Sequence, residues 1–274
     1  TLNNYEQDKQ FIFINSFNRI IDNTLLNEEG YSTINSFSKA LFNISLLKSN
    51  YYLYNLEKIP LIAIQAHIFY IDLFEEMMSK INNVPVKFDL YLTTTSEIDK
   101  NNIEQYLILN NKAEKYEILI VENKGRDVLP FIYQMNKVYK KYKYICHIHS
   151  KKTLFPALSK LWRDYLFDNI LGSKEIISEI LYKFEINQKL GIIYPENYFR
   201  IISFTYSSLF ERTLYFMNNL LKDDFPYFKI DKAPAYPAGD MFWARVSSIY
   251  QIFEKLDIIK NNCPEEEGVL YDTI

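Results

Sequence analysis

IPLIAIQAHIF (59–69) is the first of four short apolar runs that alternate with amphipathic segments along the chain. The other runs are FDLYLTTT (88–95), YEILIVEN (116–123) and YICHIH (144–149), and between them lie DLFEEMMSKI (72–81), a segment near 97–110 and RDVLPFIYQMNKVYKKY (126–142). Apolar strands separated by helices of this length predict four βα units and an α/β fold with a parallel sheet covered on both faces. Such sheets bind ligands at the carboxyl ends of their strands, so we expect functional residues just after each run.

The flanking sequence extends this domain in both directions. Residues 1–55 have helical apolar spacing and predict an N-terminal helical extension, and the α/β domain is expected to span 56–274. After the fourth run, the pattern predicts a helical stretch from Lys160 to Ile186, a strand LGIIYP (190–195) and a helix over 201–222. The loop DDFPYFKIDKAPAYPAGD (223–240) that follows is rich in Pro.

The composition excludes disorder, collagen and a disulfide scaffold, because the 274 residues are 48% hydrophobic and 24% charged, with 9 Pro, 6 Gly and 2 Cys. A net charge of −3 gives no overall attraction to nucleic acid or to an anionic membrane, so we expect neither as a partner. Cys146 and Cys263 are expected to be free thiols.

The location in the cell is also predicted from what the sequence lacks. No apolar run reaches the ~18 residues needed to span a bilayer, and the first residues do not have a leader pattern. We therefore expect a cytoplasmic protein without a membrane span, with association at the inner face of the plasma membrane, through partners or lipid-linked acceptors, as an alternative.

All three histidines, His67, His147 and His149, lie in or just after predicted strands. His147 and His149 are two residues apart in a strand, so their side chains share a face, and Lys151 is expected to project with them. This arrangement predicts a cationic cradle for a diphosphate. The alternatives are simple hydrogen bonds from strand-end histidines to loop carbonyls and, for Lys151 and Lys152, a solvated loop. A metal bound by the histidine pair is disfavoured, because no third ligand lies at a suitable spacing and two adjacent lysines repel a cation.

A second candidate segment, Asn123-Lys124-Gly125-Arg126-Asp127, lies between the third run and a helix. Gly125 at a strand-to-helix turn lets the backbone approach a ligand, and the helix N-terminus favours an anion. We interpret Arg126 as functional. Asp127 has two interpretations that stay open: it is the helix N-cap, with Pro130 in the first turn, or it is a site residue.

Two acidic segments supply candidate bases, YPAGDMFWAR (236–245) and EEEG (265–268). An enzyme that moves a group onto a hydroxyl needs a base for the hydroxyl proton, and Asp240 or one of the glutamates could act in this way. An exposed acidic loop is the alternative for 265–267. Trp243 is expected to pack in the core by default, with contact to a sugar as the alternative.

These segments, taken in order, resemble the rhamnan synthesis protein F family of bacterial polysaccharide assembly. The resemblance rests on AHIFY (66–70), FDLYLTTT, NKGRDVLPF (123–131), HIHSKK (147–152) followed by Trp162-Arg163 and LGS (171–173), LGIIYP and AGDMFW (238–243), and it covers about 59–270. It implies a glycosyltransferase, often a rhamnosyltransferase, that uses a nucleotide-sugar donor such as dTDP-rhamnose and a glycan or lipid-linked glycan acceptor. The order of the segments is also similar to that of GT-A glycosyltransferases of the family-2 type, which implies a GT-A-like fold.

One departure from that pattern shapes the expected chemistry. Where GT-A enzymes carry a metal-binding Asp-x-Asp, this chain has His147-Ile148-His149. We therefore expect an inverting transferase that needs no cofactor, with a divalent metal disfavoured. The expected donor and diphosphate site comprises His67, Thr93, Thr94, Asn123, Gly125, Arg126, Asp127, His147, His149 and Lys151. Asp240, Glu266 or Glu267 is expected to act as the catalytic base, and Trp243 to contact the acceptor.

Two other function classes remain open. The missing Asp-x-Asp also fits a non-catalytic module that binds a sugar nucleotide or glycan within an assembly complex. A histidine phosphoesterase using His147 and His149 is disfavoured, because such enzymes usually need a second histidine motif and only His67 remains to supply one.

Overall fold

The computed structural model describes residues 55–152, 156–196 and 237–262. These residues form six strands, β1 (Ile62–Ile68), β2 (Phe88–Thr94), β3 (Lys115–Ile120), β4 (Tyr144–His149), β5 (Ile192–Ile193) and β6 (Phe242–Arg245). They also form seven α-helices, α1 (Phe74–Ile81), α2 (Glu97–Asn110), α3 (Val128–Met135), α4 (Pro156–Ile170), α5 (Lys174–Ile186), α6 (Val246–Glu254) and α7 (Leu256–Asn262). The predicted helical extension up to residue 54, the predicted helix over 201–222, most of the Pro-rich loop and Cys263 lie outside the described residues.

The strands form one sheet in the order β3-β2-β1-β4-β6-β5. Strands β1 to β4 are mutually parallel, whereas β6 runs antiparallel to both β4 and β5. The predicted α/β fold with a mostly parallel sheet is therefore confirmed. The chain moves outward from β1 to β3 and then returns to the other side of β1 as β4, so the strand order reverses between β1 and β4. Sheets of this kind bind ligands in the crevice at such a reversal.

Helices cover both faces of the sheet, which explains why β1, β2 and β4 are buried along their whole length. On one face Ile64 and Cys146 pack in a core with α1, α2, α4 and α5. On the other face Ala63 and Ile145 pack with α3, α6 and α7. Because neighbouring residues of a strand point to opposite faces, each strand contributes to both cores.

The predicted helical stretch from Lys160 to Ile186 consists of two helices, α4 and α5. The break lies at Gly172, where a Cβ atom would come within 2.2 Å of the Asp168 carbonyl oxygen. Ser173 then starts the new helix, because its Oγ accepts a hydrogen bond from the Ile176 amide at 3.3 Å.

The third apolar run differs from its prediction, because β3 is an edge strand instead of a covered one. Lys115–Glu117 are exposed, and Ile118–Ile120 are only partly buried. Of the predicted strand LGIIYP, only Ile192–Ile193 pair in the sheet. Strand β6 was not predicted, yet its antiparallel direction places its first residue, Phe242, beside His147. The turn before β6, which contains Asp240, is thereby brought to the carboxyl edge of β4.

Two smaller observations complete the fold. Cys146 is a buried free thiol, as predicted, and burial raises its pKa well above the ordinary value. None of the helices within the described ranges combines the length and the apolar composition that crossing a membrane requires.

Candidate functional site

A cluster of buried polar side chains lies at the carboxyl edge of the sheet, where the strand order reverses. His67 of β1 is in register with Thr93 of β2 on one side and with His149 of β4 on the other. These three side chains and that of His147, two residues back along β4, lie on the sheet face that α3 covers, and all four are buried. The three histidines predicted from sequence as site residues are therefore brought together.

Ser150 fixes the ends of β1 and β4 relative to each other. Its amide donates to the His67 carbonyl at 2.9 Å. Its Oγ accepts hydrogen bonds from the amides of Phe69 and Tyr70, at 2.9 and 2.8 Å. The loop after β1 is thus tied to the loop after β4, and the two strand-end histidines are held in place.

Asp127 enters the cluster from the start of α3. It occupies the N-cap position, but its side chain makes no capping hydrogen bond. Instead, Oδ2 lies 3.3 Å from Nε2 of His147, and Oδ1 lies 3.8 Å from Nδ1 of His149. The carboxylate, 5% exposed, is held between the two β4 histidines. This geometry favours the site interpretation of Asp127 over the capping one.

Burial and charge set the protonation states within the cluster. Burial alone would raise the pKa of Asp127, but the hydrogen bond with His147 and attraction by the Lys151 ammonium hold it well below its ordinary range. Burial lowers the pKa of His67 and of His149 to about 4, although Asp127 opposes both shifts. At neutral pH, His67 and His149 are therefore uncharged beside a buried carboxylate.

Gly239 and Asp240 complete the cluster from the turn before β6. Nε2 of His149 donates to the Gly239 carbonyl at 2.9 Å. Asp240 is only partly buried, yet burial and then repulsion from Asp127 raise its pKa to about 7, while Lys151 and Arg126 oppose the shift. A carboxyl group with a pKa near neutrality can release and accept a proton under physiological conditions.

The Trp162-Arg163 pair of α4 anchors the loop that carries Lys151. The ammonium of Lys151 lies over the Trp162 ring, 4.1 Å from its centroid. Arg163 donates to the Lys151 carbonyl at 3.2 Å, while its Nε and Nη2 donate to the two carboxylate oxygens of Glu76 at 3.0 and 3.1 Å. Lys152 turns away and pairs with Asp72, so the two adjacent lysines face different surroundings.

The remaining residues predicted for the donor site are placed less uniformly. Thr93 is buried, and its Oγ1 lies 2.9 Å from Nδ1 of His67. Thr94 points to the opposite face of the sheet, where its buried Oγ1 finds no hydrogen-bond partner in the described part of the chain. Asn123 is exposed, and Gly125 has a left-handed backbone, with φ 67°, just before Arg126. Thr93 therefore joins the histidine cluster directly, whereas Thr94 does not.

Trp243 lies apart from the cluster. Its ring is fully buried, and its Nε1 donates to the Ile170 carbonyl at 3.0 Å. This placement corresponds to the core-packing interpretation and not to acceptor contact, because the indole presents no surface to a ligand. Glu266 and Glu267, the other candidate bases, lie outside the described residues.

Sequence reasoning missed two members of the cluster, Gln65 and Gln134. Both are buried, and Gln65 Oε1 lies 2.6 Å from Nδ1 of His147. Gln65 had a detectable signal: a polar residue within an apolar run, two positions before His67 and therefore on the same face of the strand. Gln134 lies within an otherwise apolar helix, and its position alone does not single it out.

The cluster offers hydrogen-bond donors and positive charge, but it does not resemble a metal site. In the three described ranges, no group of three or more His, Cys, Asp and Glu side chains is arranged to hold a metal ion. The arrangement can bind an anion through Lys151 and Arg126 and move a proton through Asp240.

Comparison with known proteins identifies the family of this chain. Two curated relatives, both described as "Uncharacterized protein WxcX", come from Xanthomonas campestris pv. campestris, strains B100 and ATCC 33913. Each is 22% identical to this chain over 249 residues, which is 89% of this chain and 34% of the relative. The chain thus spans about a third of the length of these relatives. The sequence model described as rhamnan synthesis protein F matches residues 25–273, and the chain therefore belongs to the rhamnan synthesis protein F family.

Proposed function

We propose that this chain is a GT-A-like glycosyltransferase that moves rhamnose or a similar sugar from a nucleotide-sugar donor to a growing cell-surface polysaccharide. The observation that carries the proposal is the Asp127 carboxylate, held between His147 and His149 at the reversal of strand order. Membership of a family named for rhamnan synthesis supports the substrate class. The position at the carboxyl edge supports the nucleotide, because α/β sheets bind nucleotides there.

The donor diphosphate is expected to lie against the basic side of the cluster. Lys151 is held over Trp162, and Arg126 is exposed in the turn before α3, so both can reach a ligand. A fixed ammonium and a guanidinium stabilise the charge that develops on a departing diphosphate. In this proposal the two basic residues do what a divalent metal does in other transferases, and the reaction is metal-independent.

Asp240 is the proposed base. The acceptor hydroxyl oxygen bonds to the anomeric carbon while the bond from that carbon to the diphosphate oxygen breaks. The hydroxyl proton passes to Asp240, and the electron pair of the broken bond leaves with the nucleoside diphosphate. Attack from the face opposite the leaving group inverts the anomeric carbon. A pKa of about 7 suits this role, because a useful fraction of the carboxyl is ionised while its affinity for a proton is high.

The buried Asp127 orients the site in this proposal instead of reacting. A lone carboxylate would repel the diphosphate, but attraction by the Lys151 ammonium partly offsets the charge of Asp127, and the contact with His147 fixes its orientation. Nδ1 of His149 also lies 3.8 Å from Asp127, and its other ring nitrogen donates to the Gly239 carbonyl. The same contacts keep the turn that carries Asp240 next to β4.

Ligand-induced thermal stabilisation tests the proposal. The panel is dTDP-, UDP-, GDP- and CDP-linked sugars, each with EDTA and with Mg²⁺ or Mn²⁺. A ligand at a hundred times its Kd adds about 2.7 kcal/mol to the free energy of unfolding. We expect sugars linked to one nucleotide to stabilise the chain, and by the same amount with EDTA as with Mg²⁺ or Mn²⁺.

Two variants sharpen that experiment. Lys151→Met should lose the stabilisation by nucleotide, whereas Lys152→Met, whose ammonium pairs with Asp72, should keep it. Strict metal dependence would refute metal independence, and equal losses in both variants would refute the specific role of Lys151.

A non-catalytic binding module is the second candidate, and one observation favours it: polar groups of the protein already occupy His147 and His149. His147 contacts Gln65 and Asp127, and His149 contacts Gly239. Nucleotide binding without release of nucleoside diphosphate in the presence of any glycan acceptor would support this candidate. The same contacts argue against a histidine phosphoesterase, because a histidine nucleophile needs a free ring nitrogen.

A further inference from the structure

A chain of hydrogen bonds runs from the backbone of β2 into the histidine cluster. Nε2 of Gln134 donates to the Leu92 carbonyl at 3.1 Å. Nε2 of Gln65 donates to Oε1 of Gln134 at 3.3 Å. Gln65 is 0% exposed and Gln134 is 1% exposed. Because water does not reach these amides, each must find its hydrogen-bond partners within the protein, and those partners fix which way the amide turns.

The Leu92 carbonyl fixes the orientation of both amides, because a carbonyl oxygen can only accept. Gln134 must face it with the NH₂ group and so turns its own oxygen towards Gln65. Gln65 must in turn present its NH₂ group to Gln134, which leaves its oxygen facing the ring of His147.

The orientation of Gln65 decides where His147 carries a proton. Oε1 of Gln65 lies 2.6 Å from Nδ1 of His147, and an amide oxygen cannot donate. Nδ1 must therefore be protonated. On the other side of the ring, Nε2 faces the Asp127 carboxylate at 3.3 Å.

The same amide also acts on His67 through Thr93. Nε2 of Gln65 lies 3.3 Å from Thr93 Oγ1, so that hydroxyl accepts from the amide. The hydroxyl has one proton of its own, and among the described residues Nδ1 of His67, 2.9 Å away, is the acceptor placed to receive it; if Nδ1 donated instead, that buried proton would have no acceptor. His67 then has an unprotonated Nδ1, and its proton is on Nε2.

We propose that Gln134 is a positioning residue that, through Gln65, sets the proton positions of both His147 and His67. The importance of this arrangement for sugar transfer rests on the proposed function, whereas the proton positions do not. With Nδ1 of His147 protonated and held by Gln65, the ring turns Nε2 to Asp127. With Nε2 of His67 protonated, a neutral N–H donor stands at the carboxyl edge where the donor sugar nucleotide is expected.

The test is ¹⁵N–¹H NMR of the whole chain labelled with ¹⁵N in histidine only, without any ligand. The chain has 3 His, so the spectrum contains six ring nitrogens. His147 is assigned through its contact with the Phe131 ring, 4.4 Å away between centroids, and His67 through Thr93, whose Oγ1 lies 2.9 Å from its Nδ1. We expect a protonated Nδ1 for His147, and for His67 an unprotonated Nδ1 with a protonated Nε2.

Two variants of Gln134 separate positioning from packing. Gln134→Met keeps the length of the side chain but removes both hydrogen bonds, so the Gln65 amide is free to turn and the Nδ1 proton signal of His147 should be lost or exchange-broadened. Gln134→Glu keeps an oxygen that accepts from Gln65 and should retain the proton positions of the parent chain, even if the repulsion from the Leu92 carbonyl lowers its stability.

The outcomes are distinct. An unprotonated Nδ1 of His147 in the parent chain would overturn the proposal, and so would a Gln134→Met variant that folds and shows the parent ¹⁵N pattern. Because the parent spectrum alone can refute the proposal, a variant that fails to fold does not protect it. Addition of dTDP afterwards tests the link to function: unchanged nucleotide binding in a Gln134→Met variant with altered proton positions would refute that link and leave the positioning role intact.

Discussion

Arg126 and Asp240 are the two non-glycine residues in the described part of the chain whose backbone is left-handed, with φ 52° and 55°. Each directly follows a left-handed glycine, Gly125 with φ 67° and Gly239 with φ 101°. Attraction by Arg126 also opposes the rise in the pKa of Asp240, so the two turns interact electrostatically. Non-glycine residues in this conformation cost about 1–3 kcal/mol each and cluster at functional sites. Both turns lie next to Asp127, so the two strained residues lie together at this edge of the sheet.

The first prediction concerns the strain at Arg126. Arg126→Gly should raise the free energy of unfolding by about 1 kcal/mol, because glycine adopts a left-handed backbone at lower cost. The same change should weaken nucleotide-sugar binding, because the guanidinium is lost. Urea unfolding and ligand-induced thermal shifts measure the two effects separately.

Lys124→Gly is the matched control for that variant. It removes a positive charge from the same loop, but Lys124 is not left-handed. Glycine there only adds freedom to the unfolded chain and should lower stability slightly. A loss of stability in Arg126→Gly equal to that in Lys124→Gly would show that Arg126 is not strained.

The second prediction concerns Asp240 as the base. Asp240→Asn should fold normally, because asparagine tolerates a left-handed backbone, and should lose transfer while it still binds the nucleotide sugar. In the parent chain, the turnover rate should rise with pH through about 7, where Asp240 ionises. The exposed Asp257 offers a control, and Asp257→Asn should keep both the rate and its pH dependence. Full turnover by Asp240→Asn would exclude this residue as the base.

The third prediction is the slope of stability against pH between about 5 and 6. His67 and His149 have a pKa of about 4 in the folded chain and 6.5 ordinarily, so each takes up a proton on unfolding in this window. Asp240 has a pKa of about 7 when folded and 3.8 ordinarily, so it releases one. Asp127 is ionised in the folded and in the unfolded chain at these pH values, because its pKa is held low on folding and its ordinary value of 3.8 also lies below this window.

The net uptake from these groups is one proton, two taken up minus one released. Stability should therefore fall as the pH is lowered, by about 1.4 kcal/mol per pH unit. Asp240→Asn leaves two protons taken up and should double the slope to about 2.7 kcal/mol per pH unit, whereas His149→Gln should bring it near zero. Urea midpoints at about pH 5 and about pH 6 measure all three slopes. Identical slopes in the three chains would contradict the assignment.

The fold could be predicted from sequence where burial dominates the pattern. Strands covered on both faces are mostly apolar, which made β1, β2 and β4 recognisable. Strand β6 escaped prediction because its four residues pair with β4 nearly a hundred positions away in sequence, and no local pattern reports such a contact. The edge position of β3 was missed for the same reason, since neighbours in the sheet are set by chain topology.

The site could be predicted where residue parity along a strand decides the geometry. His147 and His149 were predicted to share a face because they are two residues apart in a strand, and in the structure they do. Asp127 stayed ambiguous, because an N-cap and a site carboxylate occupy the same sequence position and differ only in where the side chain turns. Gln134 could not be found at all, because its role depends on the orientation of a neighbouring amide.

The fourth prediction concerns Gly239, whose carbonyl accepts the hydrogen bond from His149 at 2.9 Å. With φ 101°, a Cβ atom here would be strained, and it would lie 2.8 Å from Cδ1 of Leu166 and 3.3 Å from Cζ2 of Trp162. Gly239→Ala should therefore lower the free energy of unfolding by about 2 kcal/mol. Because Lys151 rests on the Trp162 ring, displacement of that ring should also weaken nucleotide binding.

A double-mutant cycle with Leu166→Ala separates the two causes of that cost. Leu166→Ala removes the closest contact, so Gly239→Ala should cost less in that background than in the parent chain, and the difference measures the steric part. The backbone strain remains in both backgrounds, since it does not depend on Leu166. If Gly239→Ala costs the same free energy of unfolding in both backgrounds, the contact with Leu166 is relieved without cost, and backbone strain alone disfavours a side chain at position 239. In that case nucleotide binding should be preserved, because the Trp162 ring and the Lys151 ammonium above it would have had no reason to move.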